Sequence, residues 1–262
     1  ILALIGETNS RKTTLAILLG KVFNRLNRIP DVTFTATPGG IEKMIYQFHD
    51  SCLILDDMKP GATKEQNRDI NQKLEQVTRL YGDRTPKKRM TGYGSDEELR
   101  INGGCIVTGE YIEGVESSRA RRLEVTIDRE EVDNEKLSEC QRRDVWPTYL
   151  YHFLTFITAK FAETVEYIRS RSEELRRTAG FKLDRRNEIW AQLSVVVEIM
   201  MSFGVECGAI SQEESCELAM EGRNAIYELL TENEKEAQRV SPVCLVLRAL
   251  NAYVQENEEP EM

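Results

Sequence analysis

The sequence contains 262 residues, of which 40 % are hydrophobic and 30 % are charged, and its formal net charge is −9 at neutral pH. A chain of this length and composition can bury a sizeable core, in one large domain or two small ones. No continuous apolar run reaches the roughly 18 residues of a membrane span, so the sequence predicts no membrane association. No signal peptide is recognisable at its start.

The cysteines predict a reducing environment. They are widely spaced without a Cys-x-x-Cys pair, and Cys52 and Cys105 lie in apolar runs typical of strands. This pattern indicates buried free thiols in a cytoplasmic protein rather than disulfides or a zinc site. Because the sequence opens in a strand pattern at Ile1 without an initiator methionine, we expect it to be part of a longer protein.

Most of the negative charge lies in the second half of the chain. Residues 1–128 carry 19 Lys and Arg against 18 Asp and Glu, whereas residues 129–262 carry 16 against 26. The first half is therefore close to neutral and contains local basic clusters. For this reason the overall acidity does not exclude nucleic acid as a partner.

The pattern of apolar residues also changes near residue 129. Before it, predicted strands at 2–5, 32–37, 52–55, 105–108 and 123–127 alternate with predicted helices at 12–26 and 65–81. Apolar strands separated by helices predict an α/β fold with a mainly parallel sheet that is covered on both faces. After it, only helical spacing remains. We therefore expect an α/β core domain at 1–130 and an all-helical domain at 131–262.

The first predicted strand runs into a loop that resembles a phosphate-binding loop. The sequence "LALIGETNSRKTTLAILLG" fits Gly-x-x-x-x-Gly-Lys-Ser/Thr, except that Arg11 replaces the second glycine. In such loops, backbone N–H groups and a helix N-terminus surround the phosphates of ATP. The lysine reaches the β- and γ-phosphates, and the following hydroxyl binds Mg²⁺. The predicted nucleotide-binding residues are Gly6, Thr8, Asn9, Ser10, Arg11, Lys12, Thr13 and Thr14.

Arg11 is compatible with this function on two conditions. Its backbone must adopt the dihedral angles of the loop, and its side chain must point away from the phosphates. The alternative interpretation is a chance match in an ordinary strand-loop-helix segment.

A second motif strengthens the nucleotide-binding interpretation. The run "DSCLILDD" is an apolar strand that ends in Asp56 and Asp57, about 40 residues after the loop. An acid at such a strand end completes the coordination of Mg²⁺, which predicts Thr13 and Asp56 as metal ligands. The next acid can activate the attacking water, so Asp57 is the predicted general base. A plain polar turn after a strand is the alternative.

The third motif is "GGCIVTGEYIEG", a strand that ends in Thr108 and Glu110. In ATPases with an extra strand between the two phosphate-binding elements, the polar end of this strand senses the γ-phosphate. Thr108 is therefore the predicted sensor, and Glu110 is the alternative general base to Asp57. A strand end with an ordinary turn would show the same pattern.

Arginines precede the last predicted strand in "GVESSRARRLEVTID". An arginine at this position can reach the nucleotide of a neighbouring subunit. Arg121 and Arg119 are the favoured residues because we expect both to be exposed, and Arg122 is the third possibility. Ordinary surface charge is the alternative.

Together these motifs resemble a known family. The resemblance lies in "GETNSRKTT", "TFTATPGGIEKMIYQFHDSCLILDD", "CIVTGE", "SSRARRL" and the basic run at 87–90. These segments are similar to the family called "domain of unknown function 927", found in primase-helicases of phages, plasmids and integrated elements. The resemblance covers about residues 1–128. It implies a phosphate-loop ATPase of the additional-strand type, near AAA+ and superfamily 3 helicases, often assembled as a ring, in which an arginine before the loop lysine is ordinary.

The resemblance also gives a meaning to the stretch "YGDRTPKKRMTGYGSDEELRINGG". Ring helicases of this lineage insert a hairpin here that projects into the pore. Arg84, Lys87, Lys88 and Arg89 would bind nucleic-acid phosphates without reading sequence, and Tyr93 would stack on a base. The alternative is a solvated basic loop.

The sequence thus predicts an Mg²⁺-dependent ATPase that translocates on or unwinds DNA during replication of a mobile element, assembled as a homo-oligomeric ring. Two alternatives stay open. One is an ATP-binding switch in signalling or defence, with the helical half as its partner-binding domain. The other is a DNA-binding or interaction module with a degenerate loop that does not hydrolyse ATP.

Overall fold

The structure is a computed structural model that describes residues 1–23, 30–84, 87–90, 96–112, 114, 116–143, 145–239 and 246, with the backbone alone at 87–90 and 96–99. Its strands are β1 (Leu2–Ile5), β2 (Val32–Thr33), β3 (Cys52–Met58), β4 (Lys87–Met90), β5 (Asp96–Leu99), β6 (Gly104–Gly109) and β7 (Leu123–Thr126). Five of them form a parallel sheet in the order β2-β3-β6-β1-β7, and β4 and β5 form an antiparallel hairpin.

Helices accompany the sheet and then make up the second half. Those of the first half are α1 (Lys12–Gly20), which continues into a 3₁₀ turn at Lys21–Phe23, α2 (Pro38–Gln47), α3 (Lys64–Asp83) and α4 (Glu116–Arg119). Those of the second half are α5 (Asn134–Arg142), α6 (Trp146–Ala159), α7 (Phe161–Thr178), α8 (Asp184–Glu206) and α9 (Gln212–Arg239).

The sheet is buried on both faces because its central strands contain uninterrupted apolar runs, at 2–5, 52–55 and 105–107. Along β3, Leu53 and Leu55 lie in the cluster that α2 and α3 cover, whereas Ile54 packs with Ala16 of α1 on the other face. Each fully buried leucine or isoleucine contributes about 1.5–3 kcal/mol of hydrophobic stabilisation. The predicted parallel α/β sheet, covered on both faces, is confirmed.

The strand order determines where the site lies. The strand β6 pairs with β1 on one side and with β3 on the other, all in parallel. Since the carboxyl ends of parallel strands meet at one edge, the loop after β1, the acidic end of β3 and the polar end of β6 are neighbours. The strand β6 thus lies between β1 and β3, as predicted for the strand that ends in Thr108.

Helix α2 was not predicted, and β2 is shorter than predicted. Residues 32–37 were predicted as a strand, but β2 ends at Thr33 and Thr37 caps α2 by accepting a hydrogen bond from the Gly40 backbone at 3.2 Å. Pro38 then occupies the first turn, where its lack of an N–H group costs nothing. The two glycines that follow weaken the helical signal, which explains the miss.

Helix α8 requires a correction to the sequence analysis. It is long and apolar enough to cross a membrane by length and composition, although no such segment was expected. In the structure it packs against α7 and α9, where Ala191, Val195 and Ile199 contribute to an apolar cluster. Its Arg186 is buried and donates hydrogen bonds to the backbone carbonyls of Leu230 and Asn233 in α9 at 3.2 and 3.3 Å. Helix α8 is therefore a central helix of the helical half.

The helical half contacts the edge of the sheet. The side chain of Asn233 in α9 accepts from the backbone N–H of Glu124 and donates to its carbonyl, both at 2.8 Å. These two hydrogen bonds satisfy the backbone N–H and carbonyl of one residue in the edge strand β7, as pairing with a further strand would. The division into domains at 130/131 stays a prediction.

The cysteines of the described part of the chain are free. Cys52 and Cys105 are buried as predicted, and burial raises the pKa of the Cys105 thiol. Cys207 and Cys216 were expected to be buried, but both are exposed. Cys207 directly follows α8, and Cys216 lies near the start of α9.

Candidate active site

The loop after β1 has a conformation that only some residues allow. At Gly6 an added Cβ would lie 2.3 Å from the carbonyl oxygen of Ile127, so glycine is required there. Asn9 and Arg11 both have left-handed backbones, with φ of 71° and 67°. Such angles are rare outside glycine, although asparagine tolerates them comparatively well. The loop therefore combines a close approach of its backbone to the Ile127 carbonyl with two residues in the left-handed conformation.

Arg11 meets the backbone condition, and its side chain contacts the helical half; that it points away from bound phosphates stays a prediction. Its backbone adopts the left-handed conformation for which a glycine is the ordinary residue, at a cost of about 1–2 kcal/mol. Its exposed side chain donates from Nε to Oδ1 of Asn134 in α5 at 3.2 Å. The guanidinium is thereby held by the helical half.

Lys12 follows the loop, and its ammonium group is surrounded by oxygen atoms of the loop. It is the first residue of α1, and only 8 % of it is exposed. Its Nζ donates to the carbonyl oxygens of Gly6 and Glu7 at 2.8 and 2.5 Å and to Oγ of Ser10 at 3.1 Å. Burial lowers the pKa of Lys12, and the nearby carboxylate of Glu110 opposes that shift. An anionic oxygen is a stronger acceptor for an ammonium than these neutral oxygens, so the position suits a phosphate.

Asp56 joins the three motifs through one oxygen atom. Its Oδ1 accepts a hydrogen bond from the Thr13 hydroxyl at 2.8 Å and another from the Thr108 hydroxyl. Thr108 is almost fully buried, so its hydroxyl is fixed at the end of β6. The structure thus brings together the loop helix, the acidic end of β3 and the predicted sensor, although these residues are far apart in sequence.

The residues present suit a magnesium ion. Within the described residues no group of three or more His, Cys, Asp or Glu side chains could hold a metal by itself. Mg²⁺ is commonly bound by one or two protein oxygens together with substrate phosphates and water. The Thr13 hydroxyl and the Asp56 carboxylate, already 2.8 Å apart, fit that mode of binding.

Asp57 differs from a simple continuation of the strand. The pairing between β3 and β6 shifts register between Leu55 and Met58, and Asp57 has a φ of 68°. Its exposed carboxylate forms an ion pair with Lys59 at 2.8 Å, and this hydrogen bond raises the pKa of Lys59. Lys59 was not among the predicted site residues. Asp57 is accessible to water, but Lys59 competes for its carboxylate.

Glu110 contacts the loop directly. Its carboxylate accepts a hydrogen bond from the Thr8 hydroxyl, and its backbone N–H donates to the Met58 carbonyl at 3.0 Å. Two acids, Asp57 and Glu110, therefore lie at the same edge of the sheet. Asp57 stays the predicted general base and Glu110 the alternative, and the kinetics of variants can distinguish them.

We expect Asp57→Asn to retain ATP binding and to lower turnover by about 10²-fold or more, because an amide cannot accept the proton of water. Asp56→Asn should also weaken Mg²⁺-dependent ATP binding, since it removes a ligand charge. Steady-state hydrolysis and ATP titrations with and without Mg²⁺ distinguish the two. Loss of turnover in Glu110→Gln alone would assign the base to Glu110, and wild-type behaviour in both aspartate variants would contradict the assignment.

The candidate arginines lie near the amino-terminal ends of the parallel strands, whereas the loop lies at their carboxyl ends. They precede Leu123, which pairs with Leu2 at the start of β1. Arg119 was expected to be exposed, but only 7 % of it is, and it forms an ion pair with the buried Glu124 at 2.5 Å. Arg122 pairs with the same carboxylate at 3.0 Å, while burial lowers the pKa of its guanidinium. Both residues point inward because a buried carboxylate requires charged partners.

Arg121 is the most exposed of the three arginines. Its side chain is 20 % exposed and forms an ion pair with Asp83, the last residue of α3, at 2.9 Å. Because Leu123 pairs with Leu2 at the start of β1, Arg121 lies at the end of the sheet away from its own loop. A contact of Arg121 with the nucleotide of a neighbouring subunit stays a prediction.

The predicted nucleic-acid residues lie at the hairpin. Arg84 is exposed at the end of α3, with a left-handed φ of 46°. Lys87, Lys88 and Arg89 lie in β4, where their side chains are outside the described residues, as are Tyr93 and the turn. The register pairs Lys88 with Glu98 and Arg89 with Glu97. The backbones of 87–90 and 96–99 form the antiparallel pair that the predicted hairpin requires. Its position in a pore and its binding of nucleic acid stay predictions.

These features define an α/β protein with a five-stranded parallel sheet and a helical second half. A solved structure described as "SCCmec type IV Cch - active helicase" superimposes with a TM-score of 0.66 at 12 % sequence identity. The similarity covers 98 % of this chain and 46 % of that chain, so this chain spans about half the length of its structural neighbour. No protein-family profile and no curated protein matches the sequence. At this identity the likeness shows the fold.

Proposed function

We propose that this chain is the Mg²⁺-dependent ATPase part of a DNA helicase or translocase from a mobile genetic element. The observation that carries the proposal is the single Asp56 oxygen shared by the hydroxyls of Thr13 and Thr108. This contact joins a loop helix, an acidic strand end and a sensor strand, the three parts that an ATPase of this type needs. A solved helicase structure with a similar fold supports the proposal.

The chain's own residues supply positioning and charge. Lys12 neutralises the β- and γ-phosphates after exchanging its contacts with the loop carbonyls for phosphate oxygens. Thr13 and Asp56 hold Mg²⁺, which supplies charge neutralisation at the phosphates when it is bound. Asp57, or Glu110, orients the attacking water and accepts its proton. Thr108 links the state of the γ-phosphate to the position of Asp56.

Nucleic acid is proposed to bind at the hairpin. In the β4–β5 register Lys87 pairs with Leu99, whereas Lys88 and Arg89 pair with acids. The hairpin therefore attracts phosphates mainly at its base. We place it in the pore of a homo-oligomeric ring, by the resemblance to ring helicases.

This function predicts that single-stranded DNA stimulates ATP hydrolysis. Replacing Lys87, Lys88 and Arg89 with Glu should weaken DNA binding and reduce its salt dependence, since fewer counterions are released. Basal hydrolysis should change little. Fluorescence anisotropy with labelled DNA over a salt series measures the first effect, and a phosphate-release assay measures the second.

A matched variant tests the sign of the charge effect. Glu97→Gln with Glu98→Gln removes the acids paired with Lys88 and Arg89 and should strengthen DNA binding. If neither variant changes DNA affinity, the hairpin is an ordinary solvated surface. If ATP is hydrolysed without any stimulation by DNA, the motor function is wrong.

The ion pair between Asp57 and Lys59 favours a second candidate function. Lys59 occupies the carboxylate that would otherwise orient the attacking water, which would suit a switch that binds ATP tightly and hydrolyses it slowly. Tight ATP binding without DNA-stimulated turnover supports the switch. Absence of ATP binding supports a degenerate module.

A further inference from the structure

Asp83 connects three parts of the molecule at the edge of the sheet opposite the loop. Its Oδ1 accepts from Arg121 at 2.9 Å and from Nη2 of Arg185 in α8 at 3.3 Å. Nη1 of Arg185 also donates to the Gly82 carbonyl at 2.8 Å. The end of α3, the segment before β7 and the helical half therefore meet at one carboxylate.

The side chain of Arg121 is held along its whole length. A Cβ added to Gly82 would lie 2.7 Å from its Cδ and 2.9 Å from its Cγ, so the aliphatic part of Arg121 packs on the bare backbone of Gly82. At the other end, Nη1 donates to the Ser117 carbonyl at 2.5 Å. A guanidinium carries five N–H donors. Arg121 can thus be fixed by its own subunit and still offer N–H groups to an outside acceptor.

Asp83 is also close to the hairpin in sequence. It ends α3, and β4 begins at Lys87 after a short connection. Only three residues separate Asp83 from the hairpin along the chain. A cavity of about 790 Å³, lined by Asp83, Arg121 and Arg185 among others, lies beside this contact.

We propose that Asp83 is a positioning residue that orients Arg121 toward a neighbouring subunit's nucleotide and couples this orientation to the DNA-binding hairpin. The inference rests on the proposed ATPase function. The carboxylate of Asp83 holds the guanidinium in one direction, and Arg185 fixes the carboxylate relative to the helical half. DNA at the hairpin shifts the end of α3 and thereby improves the placement of Arg121.

The test is Asp83→Asn, which keeps the size of the side chain and removes its charge. We expect the turnover number of the assembled protein to fall about tenfold, as for the loss of a charge-assisted hydrogen bond, with KM for ATP unchanged. The stimulation by single-stranded DNA should fall as well. Asp83→Glu should restore part of both, because it returns the carboxylate.

Two controls separate positioning from folding. Glu173→Gln breaks an exposed carboxylate–arginine pair in α7 and should change neither turnover nor stimulation. In an Arg121→Ala background, Asp83→Asn should have no further effect, because the residue through which it acts is gone. A full additional loss in that background would mean that Asp83 acts on the fold, and the proposal would be overturned.

The remaining outcomes are also decisive. Wild-type turnover in Asp83→Asn overturns the positioning role alone, and faster turnover overturns it by showing that Asp83 restrains Arg121. Absence of hydrolysis in the wild-type protein overturns the proposed function itself, and the positioning role with it.

Discussion

Lys12→Ala is expected to reduce ATP hydrolysis by about 10²- to 10³-fold or more, because it removes a positioned charge that stabilises the transition state at the phosphates. The ammonium has all three of its hydrogen bonds within the loop, to the oxygens of Gly6, Glu7 and Ser10. Alanine cannot replace any of them. A phosphate-release assay at saturating ATP measures the loss, and circular dichroism during heating shows whether the fold persists.

Arg11→Gly is the matched control for Lys12→Ala. It changes the adjacent residue and introduces the glycine that the motif ordinarily has. Since Arg11 is left-handed and its side chain contacts Asn134, the substitution relieves backbone strain without removing a group from the phosphate site. Hydrolysis by Arg11→Gly should remain near the wild-type rate. Near wild-type hydrolysis by Lys12→Ala would contradict the phosphate-loop interpretation.

The sheet could be predicted from the sequence because its strands are locally unambiguous. Apolar runs such as 52–55 cannot be placed at a surface, so they indicate central strands covered on both faces. Helix α2 could not be predicted in the same way, since "PGGIEKMIYQ" begins with residues of low helix propensity. Its signal was the cap formed by Thr37 before Pro38, which a search for helix starts would have found.

The site was predictable where its residues follow one another in the chain. Lys12 and Thr13 belong to one motif, and Asp56 ends an apolar strand, so each was recognisable before the structure placed Thr13 against Asp56. The burial of Arg119 was not predictable, because its partner Glu124 lies in an alternating strand whose inward side the sequence does not reveal. Asp83 carries no local signal either.

The prediction with the largest effect concerns Arg121. If its guanidinium contacts a neighbour's γ-phosphate, Arg121→Ala should lower turnover by about 10³-fold or more, as for other arginines supplied in trans. ATP affinity of the isolated subunit should change little, because Arg121 lies at the edge of the sheet opposite its own loop. Specific activity of the wild-type protein should therefore rise with protein concentration.

Arg119→Ala provides the contrast. Arg119 and Arg122 share the buried carboxylate of Glu124, so removal of Arg119 leaves a buried charge with part of its compensation lost. The expected result is a loss of stability of about 3 kcal/mol, seen as a lower unfolding temperature. Arg121→Ala should unfold close to the wild-type temperature, because its ion pair with Asp83 is partly exposed.

Mixing two inactive variants tests whether Arg121 acts between subunits. Arg121→Ala retains an intact loop, and Lys12→Ala retains an intact Arg121, so a mixed assembly contains some sites with both groups. Hydrolysis by the mixture should exceed the sum of the two separate activities and rise with total protein concentration. Concentration-independent activity without rescue would place the action of Arg121 within a single chain, where its contact with Asp83 would be structural.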